Sequence, residues 1–165
     1  MNRERAVFLK IAALALSIII LSAPLAESRS EKLSLGLRIW YPDNWQKVYC
    51  PDRLITRSPD GSTVVMFAIL GADNIESAQE KMLQELARVF GSNIKVITQP
   101  TQARINKMEG VIMDGLGMIG EVYVLWIART ALYKDKALIV LGCVESSKFS
   151  LNSDIVRKII QSVKR

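Results

Sequence analysis

From Ile94 to Val144 the apolar pattern switches to period two, and this long tract constrains the fold more than any other feature of the chain. Glu109 to Gly117, Glu121 to Leu132 and Lys136 to Val144 read as three strands of a meander, with Lys134-Asp135-Lys136 at the last turn. Ile94, Val96 and Ile105 belong to strands leading into it. Val122 to Ile127 and Ala137 to Leu141 are apolar on both sides, so each face of this antiparallel sheet needs a cover.

Two segments have the helical period that would supply it. Asp73 to Gly91 carries a stripe of Ile75, Ala78, Met82, Leu86 and Val89 or Phe90, with Asp73 as cap, Glu76 returning the bond and Gly91 as the left-handed stop. Glu76, Glu80, Lys81, Glu85 and Arg88 fall on its wet side and read as a solvated face rather than as acid/base groups. At the end of the chain Ser150 can cap a helix with Asp154 in its first turn. Leu151, Ile155 and Ile159, with Val156, Ile160 and Val163, form its apolar stripe.

The front of the chain is organised around Gly36 to Trp45. Leu37, Ile39 and Tyr41 fall on one side of an extended strand and Arg38 and Trp40 on the other; Pro42 lacks an amide proton and ends the pairing, and Trp45 folds back over the strand's end. Arg53 to Arg57 and Ser62 to Leu70 then form a hairpin through Ser58-Pro59-Asp60-Gly61, and the second strand, apolar on both faces, belongs in the middle of its sheet.

Ahead of this lies a leader: Arg3, Arg5 and Lys10, an apolar run from Ile11 to Ala23, and small residues around Ala26-Glu27-Ser28. That is the pattern of a secretory signal peptide, too short in its apolar part for the ~20 residues a membrane-crossing helix needs. Cleavage is placed after Ser28, with Ala26 and Ser28 as the small residues of the site. No cysteine follows the run to take a lipid. The expected product is one domain over residues 29–165, exported to the periplasm or beyond, with no transmembrane span. Residues 1–28 hold three basic and two acidic groups, so the chain's net charge of +6 becomes +5 without them. This favours anionic membrane surfaces or acidic partners. The basic residues are scattered without an arginine-rich arm or finger spacing, so no nucleic acid is implied. Arg157, Lys158, Lys164 and Arg165 gather near the C-terminus and read as complements to the negative end of the last helix, set against the alternative of a lipid or partner patch.

The opening strand ending in Tyr41-Pro42-Asp43-Asn44-Trp45, the charged helix after the first hairpin, Met108-Glu109-Gly110 at the start of the meander and the closing Ile159-Ile160-Gln161-Ser162-Val163-Lys164 together resemble the PsbP-like superfamily. The resemblance covers nearly all of residues 29–165. It implies an α+β fold, an α-β-α sandwich in which helices cover a twisted antiparallel sheet. It also implies a mostly non-enzymatic group of binding and assembly factors, with no shared active site to transfer. Two departures are plain. This chain has no histidine, so no histidine metal ligand carries over, and it lacks the lipid-attachment cysteine of anchored relatives.

Candidate chemistry is sparse. Gly115-Leu116-Gly117-Met118-Ile119-Gly120 has the letters of a dinucleotide fingerprint, but Val122 to Ile127 follows where a helix should begin, so it reads as a glycine-rich turn between strands. Without histidine the usual triads and His-zinc sites are excluded, and no cofactor or metal is implied. Asp43, Asp52, Asp60 and Asp73 are each explicable as turn or cap residues. Cys50 and Cys143 are either a disulfide in an oxidising compartment or two free thiols. Trp40, Asp43 and Trp45 form the candidate interaction surface, set against the plainer reading in which such tryptophans plug a core. The expected function is a non-enzymatic accessory factor for an envelope or membrane-associated protein. The alternative is a carrier of a small apolar ligand held between sheet and helix, which needs an enclosed cavity.

Overall fold

The structure, a computed structural model, describes residues 30–164, so the leader of residues 1–28 with its cleavage point at Ser28, and Arg165, lie outside the described residues. The chain runs β1 (Ser30–Lys32), a 3₁₀ turn (Ser34–Gly36), β2 (Arg38–Trp40), β3 (Gln46–Cys50), β4 (Arg53–Arg57) and β5 (Thr63–Gly71). It continues with α1 (Ile75–Phe90), β6 (Ile94–Ile105), β7 (Met108–Ile119), β8 (Val122–Leu132), β9 (Lys136–Glu145), a second 3₁₀ turn (Ser146–Lys148) and α2 (Phe149–Gln161). Seven strands form one antiparallel sheet in the order β3-β4-β5-β9-β8-β7-β6, while β1 and β2 pair in a separate ribbon. Helix α1 packs over β7, β8 and β9 on one face and α2 over β9 on the other, giving the α-β-α layering and the central place for β5 that the alternation predicts.

Each layer has its own core. Under α1, Ala78, Met82, Leu86 and Phe90 meet Met66, Ala68, Met113, Trp126, Ile139 and Leu141 of the sheet. On the opposite face the other phase of the same strands, Val65, Phe67, Ile127, Leu138, Val140 and Val144, meets Val156, Ile159, Ile160 and Val163 together with Leu37, Ile39, Tyr41 and Trp45. A strand with both faces buried must be apolar at every position, which is why the central strands show no polar phase.

The glycines of the would-be dinucleotide loop have another task. Gly115 and Gly117 lie inside β7, and only Gly120, with φ +65°, sits in the tight turn to β8. A methyl group on Gly115 would run into the Trp126 ring and the Lys95 carbonyl oxygen, and one on Gly117 into the Phe90 ring. The two glycines therefore leave room for two neighbouring aromatic rings, Trp126 and Phe90, tilted by 38° with centroids 6.2 Å apart, and Trp126 Nε1 donates to the Leu116 carbonyl at 3.0 Å. Gly115→Ala is expected to destabilise by about 1–3 kcal/mol, because overpacking forces the ring off its rotamer. Urea unfolding of the variant measures this, and an unchanged midpoint would refute the packing argument.

Both helix starts differ from expectation. The first helix is capped by Asn74 and Ser77, one residue beyond Asp73 and Glu76: Asn74 Oδ1 accepts from the Ser77 amide at 2.8 Å and Ser77 Oγ accepts from the Asn74 amide at 3.3 Å. The pairing of β5 with β9 holds the chain extended through Gly71, and Ala72 N donates to Asp135 O, so the turn into the helix comes late. Helix α2 grows directly out of the preceding 3₁₀ turn, so no extended residue precedes it and Lys148 at its start makes no capping bond. Ser150 then falls inside the first turn and Asp154 in the second. Leu151 is 73% exposed, since it lies about 140° around the helix from Val156, the centre of the buried face. Glu85 is the other correction. Expected in water, it is 6% exposed and bonds Arg53 of β4.

The Ser58 to Ser62 turn matches its expectation and adds an electrostatic detail. Asp60 accepts from Ser58 Oγ at 2.6 Å and from the Ser62 amide and hydroxyl, and these bonds lower its pKa to about 2. A depressed carboxylate adds stability that is fully present above its unfolded value near 3.9 and lost as pH falls through about 2. An NMR titration of the Asp60 carboxyl is expected to place its midpoint near 2 and to move it upward in Ser58→Ala. A midpoint near 4 in the unsubstituted protein would contradict the turn geometry.

Candidate functional site

The end of α2, the β1–β2 ribbon and the β6–β7 turn converge at one end of the molecule. Ser162, just past the helix, accepts from the Trp40 amide at 2.8 Å and donates to the Ile159 carbonyl at 2.6 Å. Asn106 stands in a left-handed turn with Lys107, at φ 46° and 71°, which places its side-chain amide to donate to the Gln161 carbonyl at 3.0 Å and to that of Val163. The orphan carbonyls of the helix end are thereby satisfied from another part of the chain. Beyond them the tail joins the ribbon: Arg38 N donates to Lys164 O at 2.7 Å and Lys164 N to Arg38 O at 2.9 Å. Of the C-terminal cations, Lys158 lies in the last helical turn as expected, whereas Lys164 belongs to this strand-like bridge. These contacts frame an open cavity of about 460 Å³ lined by Ser30, Ile39, Trp40, Asn106, Gln161, Ser162 and Lys164.

The structure separates the three residues expected to share a surface. Trp45 is 9% exposed and packs in the α2-side core, its amide donating to Pro42 O at 3.0 Å across a tight turn. Asp43 is exposed at the tip of that turn. Trp40, half-buried on the outer side of the ribbon, lines the cavity. Of the other cavity residues, Ile39, Gln161, Ser162 and Lys164 stand out in the sequence only as strand, motif or charge positions, and Asn106 not at all, because it comes from a segment without periodicity; Asn106-Lys107, a polar pair between two strands, was the one available signal for it.

Cys50 and Cys143 are free. Cys50 ends β3 and Cys143 lies in β9, with β4 and β5 between them. Three strand spacings amount to about 14 Å, twice the reach of a disulfide, so no bridge can join them without rebuilding the sheet. Burial pushes the Cys143 thiol up to about 12, leaving it protonated and unreactive.

Beside the ribbon, Glu31 accepts from Lys47 Nζ at 2.8 Å, from Tyr41 OH at 3.1 Å and from Tyr49 OH. Partial burial opposes its ionisation, but the bonds from Lys47, Tyr49 and Tyr41 prevail together and hold the carboxyl below its usual range. The same bond raises Lys47 above its ordinary value. This cluster ties β1 to the edge strand β3. Its charges are spent on one another.

No family model and no curated protein matches this sequence. Solved structures do match. The PsbP protein of the cyanobacterium Synechocystis sp. PCC 6803 superposes with a TM-score of 0.67 over 90% of this chain and 98% of its own, at 9% identity. The fold is PsbP-like. LpqN of Mycobacterium tuberculosis, described as involved in cell envelope biogenesis, matches with a TM-score of 0.55 at 8% identity, over 84% of this chain and 90% of its own. A protein of unknown function from Pseudomonas aeruginosa gives 0.51 at 11% identity, over 85% and 98%. The PsbP-like sandwich is thus reached by sequences that share almost no residues with this one, as expected when layer pattern rather than side-chain identity specifies the architecture. Among the described residues of the PsbP-like domain, no helix is long and apolar enough to cross a membrane.

Proposed function

We propose that the protein is an exported, non-enzymatic accessory factor that binds an envelope or membrane-associated protein. The observation that carries this reading is the PsbP-like fold over almost the whole described chain, shared with a protein of cell envelope biogenesis. The secretory pattern of residues 1–28 supports it. Packing favours it over carriage of an apolar ligand: Ala78, Met82 and Trp126 on one face of the sheet, and Phe67, Val156 and Ile159 on the other, are almost fully buried, each set within its own core of the chain's side chains. The cavity at the ribbon is open and partly polar, unlike the enclosed apolar pocket a carrier needs.

Chemical crosslinking in the host's intact envelope, followed by capture and mass spectrometry, tests the proposal. One membrane-associated protein recovered in stoichiometric amount supports it. Recovery of the protein alone, with extra mass in native mass spectrometry, would replace it with the carrier reading.

A further inference from the structure

We propose that the ribbon end of the domain is a docking surface for anionic phospholipid. Lys32 of β1 lies opposite Arg38 of β2, and Arg38 lies opposite Lys164 of the tail, so three cations from three separate segments stand in one row across the strands. Directly opposed residues of an antiparallel pair present their side chains on the same face with Cβ atoms about 5 Å apart, and like charges so placed repel. All three are exposed, and none makes an ion pair with another described residue. The nearest acid on the ribbon, Glu31, falls on the other phase of β1 and is engaged by Lys47 and Tyr49. The row is therefore an uncompensated positive edge that the fold's own stability does not require.

What lies beside it fits a membrane surface. The next cross-strand pair on the same face is Ser30 opposite Trp40, whose half-buried indole borders the open cavity, and Lys164 of the row itself lines that cavity. An amphipathic aromatic beside lysine and arginine suits the headgroup level of a bilayer, where the ring meets the acyl boundary and the cations meet phosphate. Chain connectivity points the same way. Only residues 24–29 separate the apolar run ending at Ala23 from Ser30, and fully extended they reach no more than about 20 Å. While the leader occupies a membrane, the ribbon that carries the cationic row is thus held within about 20 Å of the lipid. The inference goes beyond the protein-partner reading and stands or falls without it.

Sedimentation of the protein, purified as its host exports it, with phosphatidylcholine vesicles that contain or lack phosphatidylglycerol is the test. Binding is expected only with phosphatidylglycerol and should weaken as salt rises. In the triple variant Lys32→Gln, Arg38→Gln, Lys164→Gln the partition coefficient should fall on the order of 100-fold, since each cation near an anionic surface contributes about 1 kcal/mol. The melting temperature of that variant should hold or rise, because repulsion in the row is relieved; a merely structural row would lower it. Lys81→Gln with Arg88→Gln, on the opposite layer, should bind as the unsubstituted protein does. Sedimentation that ignores lipid charge, or that survives in the triple variant, overturns the proposal. Absence of binding to either vesicle also overturns it and leaves the row to an acidic protein surface.

Discussion

Trp45→Ala is expected to lower stability by about 3–5 kcal/mol, and the melting temperature by roughly 10–20 °C, while leaving partner capture intact at temperatures where the variant is folded. The indole is 9% exposed and packs with Leu37, Ile39, Tyr41 and Leu54 in the α2-side core. Its loss leaves a void at the mouth of that core, and the tight turn fixed by the Trp45 amide on Pro42 O restricts how far the chain can collapse into it. Trp45→Phe, which keeps an aromatic body at the site, should recover much of the loss. Thermal melting and the crosslinking assay together decide: a variant with an unchanged melting temperature and abolished capture would return Trp45 to the binding surface and refute its role as a core plug.

The contrast between Trp45 and Trp40 shows what could be read from the sequence and what could not. Period two around Pro42 correctly placed Leu37, Ile39 and Tyr41 inside and Arg38 outside, because alternation is a property of the extended backbone itself. The same local rule located the meander, and Pro59 and Gly61 marked the β4–β5 turn. It could not show that the opening strand joins a separate ribbon instead of the main sheet, since that depends on a partner, Ser30–Lys32, too short to carry a period. It could not place Lys164 opposite Arg38 either, as the two are distant in sequence and meet only when α2 has docked. Gly115 and Gly117 mislead for a related reason. Glycine reads as a turn signal, yet here it serves close packing against rings supplied by β8 and α1. The candidate site is assembled almost wholly from such long-range meetings, whereas the layers that hold it are encoded locally.

Glu85 extends this argument from geometry to energy. On the helix its spacing from Glu80, Lys81 and Arg88 marks it as a solvated charge, but the folded chain brings it against Arg53 of β4, the second strand from the sheet's edge. The contact is a fork: Arg53 Nη2 donates to Glu85 Oε1 at 2.8 Å and Nε to Oε2 at 3.3 Å. The side chains are 13% and 8% exposed, so water screens the pair little. Glu85→Ala is therefore expected to destabilise by about 2–4 kcal/mol, somewhat below the ~3–5 kcal/mol for breaking a fully enclosed pair, because Asp52 still faces Arg53. The larger part of that loss is the cost of leaving the guanidinium under the helix without its partner. Replacing both ends, Arg53→Met with Glu85→Leu, should accordingly recover most of the stability, since a packed apolar pair avoids the desolvation of two charges. Urea unfolding of Arg53→Met, Glu85→Leu and the double variant gives the coupling energy directly. Additive losses would mean that the fork is solvated after all and that α1 is held on the sheet by Met82, Leu86 and Phe90 alone.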